Sequence, residues 1–244
     1  MPGPRIDPTA DPPPAARAPS LAIAVPLQLL ALREPLRRWR ERHRLAAAPR
    51  GAGLPVLVLP GMGVGDLSTR PLRRFLRQHD FDARPWRLGR HRPDVPSTIA
   101  RLLPRLEEYA VERESQVALV GWSLGGLVAR EVARMRPDLV RRVITLGSPV
   151  VGGLRHTAIA GLFRLQGWDI AEIERRVAAA NQTPIRVPVT AIWSRRDGIV
   201  DWRACVDRET PTVENLEATS CHWGLGLDPD VLAAIAERLA RADS

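Results

Sequence analysis

The stretch VALVGWSLGGLVARE, Val117–Glu131, sets a short apolar strand, a serine between glycines and an apolar helix in direct succession. A strand that becomes a helix within one residue forces that residue into strained backbone angles and crowds the neighbouring chain. The flanking positions, Gly121 and Gly125, must then be almost free of side chain. The helix that follows also aims its amide dipoles at the turn and favours negative charge developing there. Gly126 lets that helix lie close to the sheet. Two readings are open here: a tight turn that contains a serine, or a mount that holds the hydroxyl of Ser123 up for chemistry.

Outward from this turn, strands and helices alternate. LPVLVLP (54–60) is an apolar run bounded by glycine and proline, hence a buried strand. LSTRPLRRFLRQHD (67–80) is helical and FDARPWRL (81–88) is a strand. VPSTIARLLPRLEEYAVERE (95–114) is a helix with a kink expected at Pro104. After the serine turn come strand RRVITLGSP (141–149), a less regular stretch over 150–186, strand VPVTAIWS (187–194) and strand TVENLEAT (212–219). A last helix starts at Asp228 as N-cap, with Pro229 in its first turn and Val231, Leu232, Ile235 and Leu239 on one face. This order predicts an α/β fold, a mainly parallel central sheet with helices on both faces.

The chain divides into a Pro/Ala-rich tail (1–20) expected to be disordered, a basic amphipathic helix (21–50) and the α/β domain (51–244). Leu29, Leu32, Leu36, Trp39 and His43 recur at helical steps, with arginines on the other face. This helix either packs on the domain or attaches to an anionic membrane surface through residues 21–45. The longest apolar run, Leu21–Leu32, contains Pro26 and Gln28 and is too short to span a bilayer. No small-residue cleavage site follows it, so a cytoplasmic or peripherally membrane-associated protein is expected, with export left open.

Formal charge is +9, and all 36 basic residues are arginine. Arginine without lysine, beside abundant Ala and Pro, points to codon bias. No nucleic-acid-binding module accompanies it, so no nucleic-acid partner is expected. The two cysteines, Cys205 and Cys221, match no metal or redox spacing. Neither a metal nor a cofactor is expected.

Active groups in such a sheet gather at the carboxyl ends of strands. A serine hydroxyl needs a base to take its proton. Of the five histidines, His222 alone follows the last strand, where a loop reaches across to Ser123. The imidazole needs a carboxylate to set its tautomer. WSRRDGIVDW (193–202) offers Asp197 and Asp201, and Asp197, first after the strand and in the turn, is preferred. The amides of Leu124 and of Met62, in LPGMGVGD (59–66), are candidate oxyanion donors.

Gly121-Trp122-Ser123-Leu124-Gly125-Gly126, then DGIV, then SCHWG, in that order on that framework, resemble the α/β-hydrolase family and its small bacterial esterase and lipase-like members. The resemblance covers about Leu54 to Ala240. It implies Ser123 as nucleophile, Asp197 as acid, His222 as base, and Met62 and Leu124 as oxyanion donors. Pro60-Gly61 stands where many members have His-Gly. The implied activity is hydrolysis of a small hydrophobic ester, with a cap inserted at about 150–186. Acyl transfer or perhydrolysis on the same triad, or ligand binding without catalysis, are the alternatives. A Cys205–Cys221 bridge would tie the acid and base loops together; in a reducing compartment the two remain thiols.

Overall fold

The computed structural model describes residues 17–165, 169–208, 210 and 213–242. Most of the Pro/Ala-rich tail therefore lies outside the described residues, as do 166–168 of the cap region and Thr212 of the last expected strand.

Among the described residues, the chain opens with α1 (Leu21–Gln28), a 3-10 turn (Leu29–Arg33), α2 (Glu34–Arg40) and α3 (Arg42–Ala46). Then follow β1 (Pro55–Leu59), α4 (Arg70–Gln78), β2 (Asp82–Pro85), α5 (Val95–Arg113), β3 (Val117–Trp122), α6 (Leu124–Met135) and β4 (Val140–Leu146). The cap region holds a 3-10 turn (Gly153–His156), α7 (Ala160–Leu165) and α8 (Ile170–Asn181). The chain ends with β5 (Val189–Ser194), α9 (Trp202–Cys205), β6 (Val213–Ala218), a 3-10 turn (His222–Gly224) and α10 (Pro229–Leu239). Pro104 lies inside α5, which continues to Arg113.

The six strands form one parallel sheet in the order β2-β1-β3-β4-β5-β6. Consecutive side chains of a strand point to opposite faces, and here both faces are dry. Val56 and Val58 of β1, with Ala118 and Val120 of β3, meet α4 and α10 through Leu72, Phe75, Leu76, Leu232 and Ile235. Leu57, Leu59, Val117 and Leu119 meet α5 and α6 through Leu102, Leu106, Val128 and Val132. Burial on both faces is why these strands read as unbroken apolar runs. Strand order reverses between β1 and β3, and the crevice at such a reversal, at the carboxyl ends, is where α/β sheets carry their ligands.

The N-terminal helices pack on the domain, but not by the apolar face. Beyond Ala24 of α1 and Leu45 of α3, the side chains they bury are polar. Gln28 and Glu34 are enclosed, and Arg37 reaches Asp228 at 3.1 Å and Asp230 at 2.7 Å on α10. Glu34 accepts from Arg37 at 3.0 Å and from Ser220 Oγ at 3.2 Å. Leu29, Leu32, Leu36 and Trp39 point outward. Ion pairs and hydrogen bonds, which hydropathy periodicity does not register, decide which face docks.

Candidate active site

Ser123 follows the last residue of β3 and caps α6 with φ +54° and ψ −119°, a conformation rare for a residue with a side chain. Its amide donates to the Leu146 carbonyl at 2.8 Å, and its carbonyl accepts from Gly126 at 3.0 Å. The crowding predicted around the turn is present. A methyl group on Gly121 would lie 2.4 Å from the Gly125 carbonyl oxygen, and one on Gly125 would lie 2.6 Å from those of Leu59 and Pro60. Such contacts hold a non-glycine residue at positive φ because its surroundings leave no other path.

Asp197 and His222 are both buried. Nδ1–H of His222 donates to Asp197 Oδ2 at 2.6 Å. The other carboxylate oxygen, Oδ1, accepts from the amides of Ile199 at 3.0 Å and Val200 at 2.6 Å. The His222 amide donates to the Asp197 carbonyl at 3.0 Å. With Nδ1 carrying the hydrogen, Nε2 of a neutral imidazole presents its lone pair. Asp201 is engaged elsewhere. It caps α9 by accepting from the Arg203 amide at 3.0 Å, and it takes the Arg17 amide at 2.6 Å. The structure thus pairs His222 with Asp197 and not with Asp201.

The carboxyl ends of β3, β4 and β5 bring these groups to one rim. Trp122 of β3 pairs in register with Leu146 of β4, and the Gly147 amide donates to Ile192 of β5 at 2.9 Å. Trp122 and His222 rings lie 6.3 Å apart. Trp122 fills space against Gly226 and packs on the core, whereas Trp223 is exposed. Among the described residues no hydrogen bond joins His222 to Ser123.

Met62, on the loop after β1, packs with Leu124, Leu127 and Val150 beside the serine turn. Among the described residues no backbone carbonyl accepts from the amide of Met62 or Leu124. Amides left without a backbone acceptor beside the serine turn are the kind of donor an oxyanion requires.

Three residues that periodicity and motif spacing passed over shape this site. Gln28 donates to the Asp197 carbonyl at 2.9 Å and accepts from the Trp223 amide at 3.0 Å, linking the acid loop to the histidine loop. Its one visible signal was a lone amide inside an apolar run. Gly147 has φ +56°, and a methyl group there would lie 2.7 Å from Asp197 Oδ2 and 2.9 Å from His222 Nδ1. His91, buried, donates from Nδ1 to the Pro60 carbonyl at 2.8 Å. Its backbone amide and carbonyl also bond Val64 and Gly63 at 2.8 Å each, so it braces the Met62 loop. Burial pushes its imidazole below the usual range, and the bond to Pro60 opposes this only in part.

The two cysteines are free and face different partners. Cys205 Sγ approaches the Asp201 carbonyl at 3.7 Å, and Cys221 Sγ approaches that of Gln28 at 3.8 Å.

A cavity of about 500 Å³ opens beside Leu124 between α5, α6 and α8, lined by Val95, Ile99, Leu103, Leu127 and Ile173 among others. The cap is tied to the acid loop, since Ala158 donates to the Ile199 carbonyl at 2.7 Å and Thr157 bridges to Val200. Arg134 fastens α6 to α8 through Asn181 at 2.6 Å.

A parallel sheet bearing a serine turn after one inner strand and a paired histidine and aspartate after the last two defines the class: the protein has the α/β-hydrolase fold. A family model described as alpha/beta hydrolase fold matches residues 113–169. A monoacylglycerol lipase from Paleococcus ferrophilus shares the fold at a TM-score of 0.56 and 17% identity, over 77% of this chain and 96% of that one. The thioesterase domain from the curacin biosynthetic pathway aligns at a TM-score of 0.52 and 15% identity, over 80% of this chain and 93% of that one. In sequence, the chain is 36% identical over 107 residues to polyketide synthase ThaQ of Burkholderia thailandensis. That alignment covers 40% of this chain, and the chain spans only 5% of the length of that curated relative.

Proposed function

We propose that the protein is a serine hydrolase that cleaves esters of hydrophobic carboxylic acids through an acyl-enzyme on Ser123. The observation that carries this reading is the 2.6 Å His222–Asp197 bond, at the sheet rim where Ser123 is held at positive φ. Ser123 Oγ attacks the ester carbonyl while His222 Nε2 takes the hydroxyl proton. The tetrahedral oxyanion accepts from the amides of Met62 and Leu124. Collapse expels the alcohol, which takes the proton back from the imidazolium. Water, activated by His222, then attacks the acyl carbonyl and releases the acid and the free serine. Asp197 keeps the imidazole in the Nδ1–H tautomer and stabilises its charged form. The apolar cavity beside Leu124, within the size range of small-molecule sites, receives the acyl chain.

The test is labelling by a fluorophosphonate probe beside turnover of p-nitrophenyl esters. Wild type is expected to label and turn over, and Ser123→Ala to do neither. A folded wild type that binds acyl ligand but neither labels nor turns over would leave a ligand-binding protein in place of an enzyme.

A second reading places a thioester where the first has an oxygen ester. The local identity to a polyketide synthase and the fold shared with a thioesterase domain favour it. Comparing kcat/KM on an N-acetylcysteamine thioester and an alkyl ester of the same acyl chain decides between them. Product analysis with competing alcohol, amine or peroxide acceptors separates hydrolysis from acyl transfer and perhydrolysis.

A further inference from the structure

α1 and α2 dock chiefly through Gln28, Glu34 and Arg37, and an apolar side of theirs is left in water. Val25, Leu29, Leu32, Leu36 and Trp39 are 63, 65, 77, 52 and 63% exposed. They recur at steps of four and three, which aligns them along one side of α1, the following turn and α2. Isolated exposed apolar residues are ordinary, but a continuous row of five marks an interaction surface. None of the five lines the cavities at the cap or at α4.

A second feature shares α2 with the row. Arg38 of α2 borders a surface cavity of about 360 Å³ with Arg70, Arg74 and Gln78 of α4. Arg70, Arg74 and Arg77 border another of about 440 Å³. No carboxylate lines either one. The contrast with Arg37, held by Asp228 and Asp230 on the same helix, is plain. Guanidiniums gathered without a counter-charge fit a surface bearing many phosphates.

We propose that this face seats the protein on an anionic lipid surface. The apolar row enters the boundary between headgroups and acyl chains, and Arg38, Arg70 and Arg74 meet lipid phosphates. Trp39, with the Arg42 guanidinium 5.1 Å above its ring, supplies the amphipathic aromatic suited to that depth. The face also adjoins the candidate active site. Gln28 binds the Trp223 amide, and Trp223, next to His222, is itself 58% exposed. Among the described residues no helix is long and apolar enough to cross a membrane, and the proposal requires none.

The test is co-sedimentation of the full chain with vesicles of phosphatidylcholine alone or with about one third phosphatidylglycerol. Binding is expected with the anionic vesicles only, weakening as salt rises. Arg38→Glu/Arg74→Glu and Leu32→Glu/Trp39→Glu should each weaken it at least about tenfold, with thermal melts confirming that both variants fold. Equal binding to neutral vesicles, no binding, or variants that bind like wild type would each overturn the proposal. So would loss in the arginine variant alone, which marks a general polyanion site. A concentration-dependent dimer dissociated by Leu32→Glu/Trp39→Glu, without vesicle binding, would assign the row to a second copy. Binding gained only on removing residues 1–16 would assign it to the chain's own N-terminal segment.

Discussion

His222 is bound to Asp197 twice, through Nδ1 to Oδ2 at 2.6 Å and through its backbone amide to the aspartate's carbonyl oxygen at 3.0 Å. The side-chain bond sets the tautomer, and the backbone bond sets where the histidine loop lies. Position and tautomer of the imidazole thus depend on one turn after β5. Asp197→Asn replaces an acceptor with an amide and favours the wrong tautomer. Turnover is expected to fall by about 10⁴-fold. Asp201→Ala should keep most activity and lose about 1 kcal/mol of stability through the lost cap. Steady-state kinetics beside urea unfolding of both variants checks the assignment, and equal kinetic losses would contradict it.

Gly147 holds the pair in place by having no side chain. Alanine there meets both its positive φ, a strain of about 1–2 kcal/mol, and direct contact with Asp197 and His222. Gly147→Ala is expected to stay folded by circular dichroism yet lose about 10²-fold in kcat, since a shift near 1 Å is enough for that. Wild-type kcat would show that the pair tolerates displacement.

Gln28 reaches the site from a helix outside the sheet. Gln28→Leu keeps its volume but leaves the Asp197 carbonyl and the Trp223 amide without their partner. A loss of about 1–3 kcal/mol is expected for buried groups so stranded. The urea midpoint should fall and kcat should fall with it. A midpoint unchanged from wild type would show the clasp to be dispensable.

His91 gives stability a pH dependence. Its folded pKa lies below the ordinary 6.5, chiefly through burial. As pH falls through about 6.5 the unfolded chain takes up this proton first. The contribution is therefore complete above about pH 6.5 and drains away as pH drops towards the folded value. His91→Gln, which keeps a donor for Pro60, should flatten the stability profile below about pH 6.5. Parallel profiles for variant and wild type would sink this assignment.

The cavity beside Leu124 sets a limit on acyl length under the proposed mechanism. Leu127→Trp, which adds bulk at its wall, should shift the kcat/KM optimum towards shorter esters while leaving a short ester almost unaffected. An unchanged chain-length profile would place the acyl chain elsewhere.

The serine turn, the order of strands and the choice of His222 and Asp197 were legible in the chain because each rests on local rules. Strand burial on two faces writes unbroken apolar runs, and a sharp strand-to-helix turn admits only small residues on either side. The same local rules left the N-terminus open. Leu29, Leu32, Leu36 and Trp39 do form one helical face, but periodicity says only that residues share a face, not which way it points. That was settled by Glu34, Arg37 and Gln28 meeting Ser220, Asp228, Asp197 and Trp223, partners more than 160 residues away. Gly147 and His91 escaped notice for the same reason. Their importance lies in what stands 2.7 to 2.9 Å away across the fold, and sequence spacing carries no record of that.

By itself, then, the chain determined its elements, their order and the candidates Ser123, Asp197 and His222, since backbone sterics and apolar burial act between near neighbours. Tertiary structure alone decided that Gln28 and Gly147 hold the Asp197 and His222 loops in place, and that an apolar row with unpaired arginines beside it faces outward. Hydrogen bonds and charges act over a few ångströms, and only folding brings distant parts of the chain within that reach.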